Sequence, residues 1–321
     1  MEKTKKICVI GAGRWGRHHI STLFDLGALG GIVESNKKIL DQYLKLYPDI
    51  KHYVSLDDAL IDKAIDGFTI ATPAETHFQI AQRLIQAGKH VLVEKPLALT
   101  VRHAEKLVRL AKKNNVTLLV GHVLLFHPAI KKIKNIIKNK KIGRLQYIYS
   151  NRLNLGQVRS EENVFWSLAP HDIAIFQYFI DDYPILVSST GSAFLQKGIQ
   201  DLTMTHLKYK NGVEGHIFVS WLHPFKEHRL VVVGSEGMIS FEDSKEEKPL
   251  KFYSKKFDFK NGIPEKIDGP VELVHFDKKM PLTAEMEYFI NNLGSQDLET
   301  ASGDHALDVI KILVEASEQI N

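Results

Sequence analysis

Glu94-Lys95-Pro96 carries the side chain in this sequence that is best placed for proton-transfer chemistry. The triplet follows residues 89–93, a short and mostly apolar run bounded by Gly88 and Pro96, which predicts a buried parallel strand. Open α/β sheets bind ligands in the crevice outside the carboxyl ends of their strands, where Lys95 would lie. A solvated lysine is the more common explanation of an isolated strand end. The assignment of chemistry to Lys95 therefore depends on the motifs upstream.

A glycine-rich turn between a strand and a helix lies near the start of the chain. Residues 7–10 form a short apolar run, residues 11–16 have the sequence G-A-G-R-W-G, and a helical pattern continues to Gly27. In this context G-x-G-x-x-G is typical of a dinucleotide site, because the glycines let the backbone approach a pyrophosphate at a helix N-terminus. The predicted contacts are Gly11, Gly13, Arg14, Trp15 and Gly16.

Glu34 ends a second predicted strand, residues 31–33, at the distance from the glycines expected of an acid that accepts the ribose hydroxyls. A carboxylate at this point repels a 2′-phosphate, so NAD is favoured over NADP as the cofactor. Lys37 and Lys38 follow closely and would favour NADP if they faced the cofactor, whereas a solvated helix start is the alternative explanation.

A third core strand, residues 68–71, leads to another helix start that is predicted to border the cofactor. Thr72-Pro73 predicts a capped N-terminus, with Glu75 completing a capping box. His77 falls in the first turn of this helix, where it either faces the cofactor or lies on the surface. Together with the strand-end pair already described, the further candidate cofactor contacts are Thr72, Pro73, His77, Glu94 and Lys95.

The order of predicted elements indicates two domains. Strands alternate with helices over residues 1–121, which predicts an α/β domain with a doubly wound parallel sheet, the Rossmann arrangement. After residue 145 strands follow one another, with a hairpin signal at Asn211-Gly212. Residues 122–321 are therefore predicted to form an α+β domain with a large, mainly antiparallel open sheet.

Composition limits the classes of protein to consider. The chain has 321 residues and a net charge of +4, which argues neither for a nucleic-acid-binding protein nor for a membrane protein. One cysteine, Cys8, excludes a disulfide framework or a cysteine-based zinc site within one chain. The histidines are scattered, so no metal site is expected. The first apolar run is too short for a signal peptide and no later run could cross a bilayer, which leads us to expect a cytoplasmic protein.

Four motifs together resemble the Gfo/Idh/MocA family of NAD(P)-dependent oxidoreductases. They are the glycine-rich turn, Ala71-Thr72-Pro73 with His77, Glu94-Lys95-Pro96, and the histidine of Ala169-Pro170-His171-Asp172. The resemblance covers the whole chain, and Glu-Lys-Pro after a Rossmann core is its most specific mark. It implies a Rossmann domain, a second domain that binds a small-molecule substrate, and assembly through the open sheet as a homodimer or homotetramer.

The resemblance implies that Lys95 and His171 are the catalytic residues. Lys95 would act either as the base or as a cation that stabilises an alkoxide, and His171 would share or carry the proton transfer. The family commonly has Asp-x-x-x-His at this point, and Ser167 replaces the aspartate here. His171 therefore lacks its usual carboxylate partner in sequence.

Residues 151–172 resemble a subgroup of the family, the nucleotide-sugar 3-dehydrogenases. Arginine forks suit a diphosphate, asparagine amides suit hydroxyl or acetamide groups, and a tryptophan can stack on a ring. The predicted substrate contacts are Arg152, Asn154, Arg159, Asn163, Trp166 and His171. A polar loop at a domain edge with an incidental tryptophan is the alternative interpretation of this segment.

The expected reaction is NAD-dependent oxidation of the 3-hydroxyl of a nucleotide sugar, such as UDP-N-acetylglucosamine or its uronic acid, for the synthesis of amino sugars of surface glycans. Three alternatives are reduction of a 3-keto sugar, oxidation of a polyol or cyclitol, and a non-catalytic NAD-binding regulator. Glu34 favours oxidation, the arginine-containing segment argues against a free polyol, and the presence of both Lys95 and His171 argues against a regulator.

Overall fold

The computed structural model describes residues 5–320, which form two compact units. The first unit comprises residues 5–126 and 279–310, and the second comprises residues 127–278 and 311–320. The segment Lys279–Ile310 thus packs with the first unit, whereas the sequence analysis placed everything after residue 121 in a second domain. The functional roles assigned to the two domains stay predictions.

Six parallel strands form the sheet of the first unit. They are β1 (Ile7–Ile10), β2 (Leu29–Val33), β3 (Lys51–Tyr53), β4 (Gly67–Ile70), β5 (His90–Glu94) and β6 (Leu118–Gly121). Their order is β3-β2-β1-β4-β5-β6, and all pairs are parallel. The central strands β1 and β4 are buried along their whole length because both faces of the sheet are covered. The predicted doubly wound parallel sheet is confirmed, and its direction of winding reverses between β1 and β4, where such sheets bind ligands.

The helices follow the 3.6-residue spacing of their apolar side chains. In chain order they are α1 (Gly16–Asp25), α2 (Lys37–Leu46), α3 (Leu56–Leu60), α4 (Ala74–Gln86), α5 (Val101–Lys113), α6 (Pro128–Lys138), α7 (Val164–Ile180), α8 (Pro281–Asn291) and α9 (Gly303–Ile320), with a 3₁₀ turn at Val123–Phe126. In α5 the buried face consists of Ala104, Leu107, Val108 and Ala111, and the hydroxyl of Thr100 caps its N-terminus. Both features are readable from the sequence.

The segment after the second unit's sheet returns to the first unit and completes it. Helix α8 packs against α1, and a Cβ at Gly67 would lie 3.3 Å from the buried ring of Phe289. Further along, the carbonyl of Ala301 accepts a hydrogen bond of 2.9 Å from the backbone N–H of Val120. The segment therefore covers the edge of β6, which would otherwise offer unpaired backbone groups to another chain.

Eight strands form the sheet of the second unit. In chain order the strands of this unit are β7 (Leu145–Leu155), β8 (Pro184–Ser192), β9 (Leu202–Tyr209), β10 (Glu214–Ser220), β11 (Leu222–Gly234), β12 (Met238–Glu242), β13 (Leu250–Tyr253), β14 (Lys256–Lys260), β15 (Ile263–Ile267) and β16 (Val271–Leu273). The sheet order is β16-β13-β12-β11-β7-β10-β9-β8, while β14 and β15 form a separate hairpin. Only β7 and β10 pair in parallel among these eight, which confirms the predicted open, mainly antiparallel sheet.

Helix α7 packs on one face of this sheet, against β7, β9 and β10. Gly212, at φ +84°, makes the predicted hairpin turn between β9 and β10.

Within residues 5–320, no helix is both long enough and apolar enough to cross a membrane.

Candidate functional site

The glycine-rich turn has the shape that a pyrophosphate requires. Gly11 has φ +88°, and a Cβ there would lie 2.9 Å from the side chain of Thr72. A Cβ at Gly16 would lie 1.9 Å from the carbonyl oxygen of Gly11, so α1 starts in direct contact with the turn. A Cβ at Gly13 would meet no atom within 4 Å, which leaves room for a phosphate beside the backbone. This turn therefore fits a dinucleotide bound at the N-terminus of α1.

Glu34 joins the glycine-rich turn to the start of α2. Its Oε2 accepts a hydrogen bond of 2.9 Å from the backbone of Ala12, and its Oε1 accepts one of 2.9 Å from the backbone of Asn36. Each carboxylate oxygen can accept a second bond, so Glu34 retains acceptors for ribose hydroxyls. Lys37 and Lys38 are exposed in the first turn of α2, as expected for a solvated helix start.

The capping box predicted at Thr72 does not form. Pro73 is the residue that precedes the first turn of α4, and no side chain caps this helix. Because the helix begins at Ala74, Thr72 lies one residue too far from it, and its hydroxyl instead bonds to that of Thr76 at 2.7 Å. Thr72 and Pro73 remain at the carboxyl end of β4, beside Gly11.

His77 is buried, so it is not the surface histidine that was one of the two placements considered from the sequence. The residue is 1% exposed, its Nδ1 lies 2.8 Å from the carbonyl oxygen of Pro96, and its Nε2 lies 2.9 Å from that of Thr72. It connects the start of α4 to the turn that follows Lys95, and its contact with the cofactor stays a prediction. Lys95 itself is half-buried at this turn, and the Lys95–Pro96 peptide is cis.

Glu94 ties the Lys95 turn to the glycine-rich turn. Its Oε1 accepts hydrogen bonds from Nε1 of Trp15 at 2.5 Å and from Nε2 of His19 at 2.8 Å. Its Oε2 lies 3.3 Å from the backbone nitrogen of Lys95. The carboxylate is therefore a support beneath the predicted cofactor site. His19 is not among the residues predicted above, although its spacing from Gly16, Ile20 and Leu23 places it on the buried face of α1.

His122 is a second residue that the sequence analysis overlooked. It follows β6 directly, is 3% exposed, and its ring lies 5.7 Å from that of His305. Burial, and then the neighbouring His305 and Lys95, hold the pKa of His122 well below its usual range. It is therefore a neutral imidazole within electrostatic reach of Lys95.

In the second unit, His171 lies in the middle of α7. Asn163 begins this helix by accepting the backbone N–H of Trp166 at 3.1 Å on its side-chain oxygen. Pro170 interrupts the backbone bonding just before His171, and Ser167 is buried one turn earlier. The carboxylate nearest to His171 in sequence is that of Asp172.

Arg152 is not the open fork that the sequence analysis assigned to a diphosphate. Its Nε and Nη2 donate to the two carboxylate oxygens of Asp172 at 2.8 and 2.9 Å, and both residues are buried. Ser150 donates a third hydrogen bond, of 2.6 Å, to the same carboxylate. Burial, then the Arg152 charge, lowers the pKa of the adjacent His228 to about 4, so this histidine is neutral at pH 7. The ion pair fastens α7 to β7 at the level of His171.

The other predicted substrate residues also have internal partners. Nδ2 of Asn163 bonds to Gln200 at 3.2 Å, Nε1 of Trp166 donates to Ser317 at 2.8 Å, and exposed Arg159 bonds to Glu162 at 2.6 Å. Asn154 differs, because its side-chain oxygen is buried without a hydrogen-bond partner in the described chain. Much of this segment thus fits the alternative of a self-bonded polar loop, and Asn154 is the exception.

Two protein-family models match this chain. Residues 5–122 match the oxidoreductase family described as having an NAD-binding Rossmann fold, and residues 130–240 match the GFO/IDH/MocA C-terminal domain. The chain belongs to the Gfo/Idh/MocA family. As a member, it is an NAD-dependent oxidoreductase that acts on CH–OH groups, and its N-terminal part is the family's NAD-binding domain. The alternative of a non-catalytic regulator is not supported.

Individual relatives of this Gfo/Idh/MocA protein differ in substrate. It is 26% identical over 295 residues to UDP-N-acetylglucosamine 3-dehydrogenase of Acidithiobacillus ferrooxidans, covering 89% of this chain and 88% of that one. It is 25% identical over 254 residues to myo-inositol 2-dehydrogenase of Thermotoga maritima, covering 75% and 76%. A crystal structure of the Acidithiobacillus enzyme has the same fold, with TM-score 0.86 at 24% identity, over 98% of this chain and 97% of that one.

Proposed function

We propose that this enzyme oxidises the 3-hydroxyl of a nucleotide sugar of the UDP-N-acetylglucosamine type with NAD. The observation that carries the proposal is the 26% identity to a UDP-N-acetylglucosamine 3-dehydrogenase over nearly the whole length of both chains. The glycine-rich turn with an open position at Gly13, and the carboxylate of Glu34, support NAD as the cofactor. A 2′-phosphate beside Glu34 would meet a like charge, which supports NAD over NADP.

Lys95 is the residue proposed to act at the reacting hydroxyl. Bound NAD supplies the hydride acceptor. Lys95 stands at the carboxyl end of β5, where the bonds of Glu94 and His77 hold its turn on both sides. In this proposal Lys95 acts in one of two ways. As a charged ammonium group it stabilises the developing alkoxide, and as a neutral amine it takes the hydroxyl proton.

His171 is the second proposed acid/base group, and α7 is the element that positions it. In this proposal the neighbouring Arg152–Asp172 pair supports the position of α7 and does not contact a diphosphate. Asn154, with its unpartnered oxygen, is the proposed acceptor for a sugar hydroxyl, and Arg159 is the remaining proposed diphosphate contact because its side chain is 48% exposed.

A substrate screen tests this function directly. NADH formation would be followed by absorbance with UDP-N-acetylglucosamine, its uronic acid, other UDP-sugars, free N-acetylglucosamine and inositols. We expect turnover with a UDP-sugar and none with the free sugar. The same plate run with NADH and 3-keto sugars tests the reverse reaction. Turnover confined to unphosphorylated polyols would overturn the proposal.

Oxidation of a cyclitol is the second candidate. The burial of Arg152 in an ion pair removes one of the two arginines that argued against a free polyol. The 25% identity to a myo-inositol 2-dehydrogenase points in the same direction. A kcat/KM for an inositol above that for every UDP-sugar would establish this alternative.

We also propose that the protein forms a homodimer or homotetramer through the second unit's sheet. Side chains alternate along β7, and Ser150 and Arg152 point towards α7. Tyr147 and Tyr149 therefore occupy the opposite face, where the ring of Tyr149 stacks on His216 at 5.2 Å. Because α7 packs on the other face of the sheet, this aromatic face supports burial against a second copy.

A further inference from the structure

Glu285, in α8, is a wholly buried carboxyl group in the first unit. The residue is 0% exposed, and neither carboxyl oxygen has a hydrogen-bond partner in the described part of the chain. A buried carboxylate without partners is much less stable than the neutral acid. Burial, and then the charge of nearby Glu94, raise the pKa of Glu285 well above its ordinary value, so the group retains its proton at neutral pH.

Glu94 is the hydrogen-bonded member of this pair of acids. Its Oε1 accepts a hydrogen bond from Nε1 of Trp15 and lies within hydrogen-bond distance of Nε2 of His19. It also rests directly against β6, because a Cβ at Gly121 would lie 2.8–2.9 Å from the carboxylate atoms. Glu94 therefore has no free space on the side of β6.

The elements around Glu285 supply few groups that could balance a second negative charge. Helix α1 contributes His19, β5 contributes Glu94, and the 3₁₀ turn Val123–Phe126 contributes no titratable side chain. Nε2 of His19 lies 2.8 Å from Oε1 of Glu94, and Nδ1 of His19 has no hydrogen-bond partner in the described part of the chain. A proton on Glu285 removes one of the two negative charges that these buried carboxyl groups could carry.

We propose that Glu285 is a positioning residue of the NAD site, which acts through Glu94. One buried proton on Glu285 lets the two carboxyl groups carry one charge, and that charge fixes both the Trp15 end of the glycine-rich turn and the backbone of Lys95. Ionisation of Glu285 would place two like charges side by side, push the Glu94 carboxylate off Trp15 and His19, and loosen the turn that receives the pyrophosphate. The inference needs NAD binding by this family member and does not depend on which alcohol is oxidised.

Glu285→Gln is the decisive variant, because it keeps the size and polarity of the side chain and removes its titration. NAD affinity would be measured by calorimetry from about pH 6 to about pH 9 in wild type and variant. As the pH rises towards the pKa of Glu285, wild-type affinity should fall, by about tenfold for each pK unit by which NAD binding raises that pKa, and Glu285→Gln should lose less than about twofold over the same range. Glu287→Gln, on the same helix but in an exposed ion pair with Lys279, should follow the wild type.

A spectroscopic readout tests the proton itself. The infrared spectrum of the wild type should contain the carbonyl stretch of a protonated carboxylic acid that Glu285→Gln lacks and Glu287→Gln retains. Absence of this band in the wild type at neutral pH, or the same pH dependence of NAD affinity in wild type and Glu285→Gln, overturns the proposal.

Gly121→Ala tests the same mechanism without altering α8. The added methyl would meet the Glu94 carboxylate at 2.8 Å and displace it, so NAD affinity should fall about tenfold or more at every pH while the infrared band persists. Unchanged affinity in this variant would show that the position of Glu94 does not matter for NAD. None of these measurements uses a sugar, so failure of the nucleotide-sugar proposal would leave them intact, and their failure would leave that proposal intact.

Discussion

Arg152→Ala should destabilise the second unit rather than weaken substrate binding alone. The guanidinium makes two hydrogen bonds of 2.8 and 2.9 Å to Asp172, and both residues are at most 9% exposed. Removing one member of a buried pair leaves the other as an uncompensated charge, which costs about 3–5 kcal/mol. At roughly 2–4 °C per kcal/mol for a unit of this size, Tm should fall by about 6–20 °C.

Scanning calorimetry measures this change in Tm, and two matched variants serve as controls. Arg159→Ala removes an exposed guanidinium from a surface pair and should shift Tm by less than about 2 °C. The double change of Arg152→Met with Asp172→Leu replaces the pair by apolar side chains and should recover most of the stability. If Arg152→Ala raises KM for a nucleotide sugar while Tm stays within about 2 °C of wild type, the supporting role of Arg152 is refuted and the diphosphate contact is restored.

Four further predictions concern chemistry, cofactor and assembly. Lys95→Met should abolish turnover and leave NAD affinity nearly unchanged in calorimetry, because the glycine-rich turn holds the phosphates; near-normal turnover would disprove the catalytic role. His171→Ala should lower kcat by about two orders of magnitude or more if it transfers the proton, and a smaller loss would assign the proton to Lys95. Glu34→Ala should narrow the preference for NAD over NADP, and equal affinities in the wild type would contradict the role of Glu34. Light scattering should show a dimer or tetramer at micromolar concentration, whereas a monomer would exclude assembly through the sheet.

The Rossmann half could be predicted from the sequence because its signals are local. A strand, a glycine-rich turn and a helix follow one another within about twenty residues, and a glycine or proline marks the ends of β1, β4 and β5. Thr100 and the apolar face of α5 show the same agreement between local pattern and structure. The capping box at Thr72 failed for a local reason too, because Pro73 moved the helix start by one residue.

The features that the sequence did not predict depend on partners that are distant in the chain. Asp172 pairs with Arg152, which lies 20 residues earlier in the chain, and no pattern in either segment predicts that pairing. Glu285 meets Glu94 only because α8 returns to the first unit. The lysine-rich stretch from residue 244 to residue 260 contains β13 and β14, whose short alternating pattern is diluted by charge.

The return of Lys279–Ile310 to the first unit affects how this protein folds during synthesis and how its first unit can be transferred to another protein. During synthesis, β6 and the buried face of α1 emerge long before Ala301 and α8, so the NAD-binding unit stays unfinished while the ribosome translates the whole second unit. Chaperones would have to protect an open sheet edge throughout that interval. For the same reason we expect a fragment that ends after Phe126 to fold less stably than the complete unit. The first unit is encoded by two separate stretches of the gene, so transferring it to another protein requires both.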